Sequence, residues 1–148
     1  MNTLDTRILG MLIKDGRASY AEIARQLGVS RAHARERVQK LLEDGVIEQF
    51  TAVVNPEKLG KAVSAFFDVQ VSPQGIEGIA KELSELAEVV SLYIMSDMRS
   101  LHIHTLTNDT EALERFAHKH LFGREHIISI DCKTLVSRPK QRRGGPRL

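Results

Sequence analysis

The chain predicts an α+β protein of two modules: three helices, then a four-stranded layer in the order β-α-β-β-α-β. Three observations predict it. Residues 19–45 carry caps, a turn glycine and apolar stripes at helical spacing. From Ala62 onward the apolar pattern switches to strands alternating with helices. The charge also changes sign along the chain. Residues 1–61 hold ten Lys/Arg against eight Asp/Glu, residues 62–137 hold six against eleven, and residues 138–148 hold five against none. Together these predict a helical domain at 1–48, a connecting segment at 49–61, a mixed domain at 62–137 and a basic, disordered tail at 138–148.

Leu4, Ile8, Met11 and Leu12 form the apolar face of a first helix, capped by Thr3 or Asp5 and stopped near Asp15-Gly16. Ser19 and Glu22 have the spacing of a capping box for the second helix, whose inner stripe is Ile23, Ala24 and Leu27. Gly28 ends that helix and Val29 plugs the turn. Ser30 caps a third helix that buries Ala34, Val38, Leu41 and Leu42 and closes at Gly45. This is helix-turn-helix spacing, and Val46-Ile47 reads as the apolar close of a winged module. The third helix keeps small, basic and amide side chains outside, the chemistry that enters a DNA major groove. Arg31, Ala32, His33, Arg35 and Glu36 are placed near base edges, and Arg37 and Lys40 at phosphates. Ser30 can combine its cap with a phosphate contact. Arg37 has a competing role, since it lies nearer the buried side and can pair with an acidic neighbour.

After Gly45, Phe50, Ala52 and Val54 alternate with Gln49, Thr51 and Val53, which predicts a connecting strand that pairs with something, a partner subunit among the candidates. Asn55-Pro56 breaks it. Ala65, Phe67, Val69 and Val71 alternate with Phe66, Asp68 and Gln70 as the next strand. Ile76, Ile79, Ala80, Leu83, Leu86 and Ala87 form a helical stripe, residues 89–95 and 101–107 read as strands, and Asn108-Asp109-Thr110 caps a helix burying Leu113, Phe116, Ala117 and Leu121. Residues 127–136 make the last strand, with Ile128, Ile130 and Cys132 on one side. The order is ferredoxin-like, with both helices on one face of the sheet. The other face is expected to be apolar and to need cover, which predicts dimerisation.

Function classes narrow accordingly. No apolar run approaches bilayer length and residues 1–10 lack a signal-peptide pattern, so neither membrane nor export is expected. One cysteine, Cys132, allows no internal disulfide and fits a reducing cytoplasm. No G-x-S-x-G, P-loop, G-x-G-x-x-G or H-E-x-x-H occurs, so the chain reads as a non-enzyme without a cofactor. His102 and His104 share one face of a strand, with Cys132 and His126 elsewhere in the same sheet, a set that zinc, copper or haem iron could use. No metal-type spacing supports it, and His118 and His120 are misphased on their helix. His102 and His104 can instead line a ligand pocket on the open face.

The stretches LDTRILGMLIKDGRASYAEIARQLGVS, RVQKLLEDGVIEQFTAVVNPEKLG and EVVSLYIMS resemble the Lrp/AsnC (feast/famine) family, and the likeness runs from Leu4 to about Val136. The resemblance implies a DNA-binding transcription regulator that assembles as a homodimer, tetramer or octamer. It also implies a small-molecule effector, such as an amino acid, held between C-terminal domains. The family's T-G-x-x-D loop, which lies at that effector site, is here Ser96, Asp97, Met98, Arg99 and Ser100. Asp97 takes the glycine position and Ser100 the aspartate position, so a side chain replaces an open backbone approach and the carboxylate that would hold a ligand amine is missing there. Siroheme decarboxylases are similar to the same two-domain family, which leaves a tetrapyrrole-binding enzyme or a metal or haem sensor as the alternative. A tetrapyrrole pocket would use aromatic and basic residues, and the chain has no Trp and two Tyr.

Overall fold

The structure is a computed structural model that describes residues 2–140. The chain divides between Val53 and Val54 into two units. The first holds helices α1 (Thr3–Lys14), α2 (Tyr20–Leu27) and α3 (Arg31–Glu43). The cap of α1 is Asn2, one residue before the expected position. Its side chain accepts from the Asp5 amide at 2.8 Å, and the Asp5 carboxylate accepts from the Asn2 amide at 3.0 Å. This closes a reciprocal capping box, because a carboxylate at the third helical position can reach back. At Ser19 only half of the expected box forms. Its hydroxyl oxygen accepts from the Glu22 amide at 3.1 Å, while the Glu22 carboxylate accepts from Arg25 and Gln26 on the next turn. Ser30 caps α3 by accepting from the His33 amide at 3.1 Å.

Ile8, Ile23, Ala34, Val38 and Leu41 form the centre of this module, with Leu4, Met11, Leu12, Leu27, Leu42 and Ile47 packed around them. Gly28, at φ 69°, makes the left-handed turn that lets α2 and α3 meet. The predicted connecting strand is not present: among the described residues none from 2 to 62 is in a strand. Phe50 and Val53 stay about half exposed or more, at 49% and 59%. An alternating segment becomes a strand only when a neighbouring strand takes its amides and carbonyls in a ladder.

The second unit begins with a 3-10 turn (Glu57–Leu59) and continues as β1 (Val63–Val71), α4 (Ile76–Ser84), β2 (Val89–Ile94), β3 (Ser100–Thr107), α5 (Thr110–His120) and β4 (Ile127–Thr134). The strands form one antiparallel sheet in the order β2-β3-β1-β4. Ala65, Phe67, Val69, Val71, Leu101 and Ile103 point to one face, where α4 adds Ile76, Ile79 and Leu83 and α5 adds Leu113, Phe116 and Ala117. On β4 the inward residues are Ile127 and Ile130, and Ile128 is 72% exposed. The register against β1 slips between Gln70 and Val71, so one extra residue of β4 bulges out and Ile128 loses its inward place. The sheet's open face is mixed. On β1 and β3 it presents Asp68, Gln70, Ser100, His102 and His104 with Phe66, and β2 adds Tyr93, 59% exposed, across from His102. No described helix is long and apolar enough to cross a membrane.

Candidate nucleic-acid interface and effector region

Residues of α3 separate cleanly by burial. Ala34, Val38 and Leu41 face the core, whereas Ser30, Arg31, Ala32, His33, Arg35, Glu36 and Lys40 are exposed. Among the described residues Arg31 and Arg35 have no acidic partner within ion-pair distance. They sit four apart, so both project from one side of the helix. His33 Nδ1 lies 3.5 Å from Glu36, and Lys40 lies 3.4 Å from Asp44. The Glu36 carboxylate thus has a local cationic partner whenever His33 is protonated.

Arg37 is placed otherwise. Its Nε donates to Asp5 Oδ1 at 2.9 Å and its Nη2 to Oδ2 at 2.8 Å. Its side chain is 19% exposed and that of Asp5 only 3%. The Asn2 amide holds the Asp5 carboxyl below its usual range. Burial works against this, and Arg37 adds to the lowering. The competing role noted from the sequence is the one the geometry supports: Arg37 ties α3 to the start of α1. Asp5 escaped sequence reasoning as a partner. Its signal was an acid at a helix start facing an Arg on the inner side of another helix.

Residues 96–100 form the tight turn between β2 and β3. Asp97 Oδ1 accepts from the amides of Arg99 and Ser100, both at 3.0 Å, and the Ser100 hydroxyl donates to Oδ2. The Ser100 hydroxyl is the main reason the Asp97 carboxyl lies below its usual range. The carboxylate therefore folds the turn, with three of its roughly four acceptor positions taken by Arg99 and Ser100. Met98 takes the left-handed conformation, φ 55°, at the exposed tip. His102 and His104 are not in this turn. They lie along the open face, His102 Nδ1 at 2.7 Å from Asp68 and His104 Nε2 at 2.7 Å from the Ser64 hydroxyl. The His104 ring stacks on Phe66 with centroids 4.3 Å apart.

The residues weighed for a metal are dispersed. Cys132 pairs across from Phe67 on the helix-covered face, opposite to the face of His102 and His104. Burial pushes its thiol pKa up. His126 is bound to the Ser72 hydroxyl at 2.7 Å, and its ring packs over Gly75. Among the described residues no three His, Cys, Asp or Glu come together as a metal set.

A capped helix-turn-helix with a basic outer face, joined to a β-α-β-β-α-β module, defines a DNA-binding transcription regulator with an effector domain. Residues 1–48 match the winged helix-turn-helix DNA-binding family, and residues 64–144 match the Lrp/AsnC ligand binding domain. An HTH-type transcriptional regulator of Pyrococcus furiosus is 38% identical over 93% of both chains. The regulator Ptr1 of Methanocaldococcus jannaschii is 33% identical over 93% of both. AsnC of E. coli superposes with a TM-score of 0.87 at 27% identity over 97% of each chain. The chain belongs to the Lrp/AsnC family of transcription regulators.

Proposed function

We propose that the protein acts in the cytoplasm as a homodimer, or a higher assembly of dimers, whose two α3 helices enter successive major grooves roughly 34–36 Å apart. The observation that carries this is the pair Arg31 and Arg35, exposed and unpaired on α3 while Arg37 is consumed internally. Arg31, Ala32, His33, Arg35 and Glu36 face base edges, and Ser30 and Lys40 face phosphates. The Ser30 oxygen caps the helix and its proton remains free to donate. The reading assigns the chain no reaction, in keeping with relatives named as regulators.

The effector is a small molecule seated at the turn of residues 96–100 where neighbouring C-terminal domains meet. With Asp97 engaged, Arg99 is the turn's ligand-binding charge and selects a carboxylate. The test is a gel shift against genomic fragments with and without candidate amino acids. Arg31→Ala and Arg35→Ala should each move the shifted band to higher protein concentration, and Arg99→Gln should leave it in place while removing the effector response. Binding undiminished in both α3 variants sinks the assignment.

A further inference from the structure

At the end of the sheet away from the 96–100 turn, Ser64 of β1 lies across from Leu106. The segment after β4 returns over it, the Leu135 amide donating to the Ser64 carbonyl at 2.8 Å. Between that segment and the residues leading into β1 lies a cavity of about 240 Å³, lined by Glu57, Lys61, Ser64, Leu135, Ser137 and Arg138 among others. Its lining thus includes two cations, two hydroxyl residues and one carboxylate. Among the described residues neither Lys61 nor Arg138 has an ion-pair partner. Ser64 is a polar side chain only 7% exposed, and its hydroxyl meets His104 Nε2 at 2.7 Å. The tautomer of His104 with its proton on Nε2 donates to that oxygen and frees the Ser64 proton for a ligand.

We propose that this cavity is a ligand site, separate from the 96–100 turn, for a small dicarboxylate. Arg138 takes one carboxylate, Lys61 takes the other, and the Ser64 and Ser137 hydroxyls donate to its oxygens. Arg138 suits the first role because its planar fork matches a carboxylate, and Lys61 serves as a point charge on a separate segment. The two cations lie on separate segments, as a diacid with two separated carboxylates requires and a lone phosphate does not. Bound there, the ligand bridges the segment entering β1 and the segment leaving β4.

Isothermal titration of the full chain with succinate and with 2-oxoglutarate tests this. Saturable binding of one ligand per chain is expected. Arg138→Gln and Lys61→Gln should each weaken it about tenfold or more, and Arg138→Lys should recover part of the loss. The proposal is overturned by absence of saturable binding at millimolar ligand, by variants that bind as the parent does, or by inorganic phosphate binding equally well. Loss of binding in Arg99→Gln alone would place the ligand at the turn and equally overturn it. A second readout uses His104, which faces Arg138, His102 with its Asp68 partner, Ser64 and Phe66, beyond which lies Lys133. Offsetting Arg138 with a bound dianion should raise the pH at which His104 protonates, followed by NMR; no movement on saturation counts against the site.

Discussion

Arg37 and Asp5 stand 32 residues apart in sequence and meet through two parallel hydrogen bonds of 2.9 and 2.8 Å. Asp5 also completes the capping box of α1, so one carboxylate serves a helix end and an interhelical tie at once. Two of the five guanidinium donors are thus committed inside the module, which sets Arg37 apart from the exposed Arg31 and Arg35.

Arg37→Ala should therefore destabilise the helix-turn-helix module by about 2–4 kcal/mol, since it strands a buried carboxylate. Urea unfolding read at the helices checks this, and a change below about 0.5 kcal/mol would show the pair to be incidental. The pH dependence has a definite sign. Asp5 has a lowered folded pKa, so its contribution is present above the unfolded value near 3.8 and is lost as pH falls through the folded value. Asp5→Asn should remove that acid-sensitive part.

Arg31→Ala and Arg35→Ala should each reduce specific binding by about 1–3 kcal/mol and relax base preference at one position. Lys40→Ala should weaken all sequences alike and flatten the slope of log K against log salt by about one. Fluorescence anisotropy over a salt series, on specific and scrambled duplexes, separates the two behaviours. A uniform loss for Arg31→Ala would reassign it to phosphate.

Gly75 precedes α4, and a Cβ there would stand 2.4 Å from both Cβ and Cγ of His126. His126 itself takes φ 72°, a conformation that side chains rarely hold. Gly75→Ala should cost about 1–3 kcal/mol by overpacking. Combined with His126→Gly, the loss should be smaller than the sum of the two single changes, because the blocking ring is gone. Additive thermal shifts would be the contrary result.

His104 is held neutral chiefly by burial, helped by Arg138 and His102. Its folded pKa lies below the unfolded value near 6.5, so its share of stability is full above that value and falls away as pH drops through the folded one. Denaturant midpoints of the parent should decline from neutral toward mildly acid pH, and His104→Gln should lack this component. Matching profiles for the two would remove His104 as the cause.

Much of the first module was legible because its rules act within three or four residues. The Ser19 and Ser30 caps, the Gly28 turn and the stripe of Ala34, Val38 and Leu41 each depend on neighbours one helical turn away. The strand at β1 was legible for the same kind of reason, since alternation is a local property. The site was only half legible. Exposure of Arg31 and Arg35 follows from helix phase, but nothing local decides between phosphate and Asp5 for Arg37.

By itself, the sequence determined the three N-terminal helices, the β-α-β-β-α-β order and which face of α3 carries charge, but not the conformation of the segment at 49–61. The tertiary structure alone decided the pairings: Arg37 with Asp5, His102 with Asp68, His104 with Ser64, and the slipped register that turned Ile128 outward. It also showed that Asp97 accepts from the amides of its own turn. The physical reason is range. Propensity and periodicity are summed along a few consecutive residues, whereas a buried ion pair or a cross-strand contact exists only once packing has brought segments 30 or more residues apart into one register.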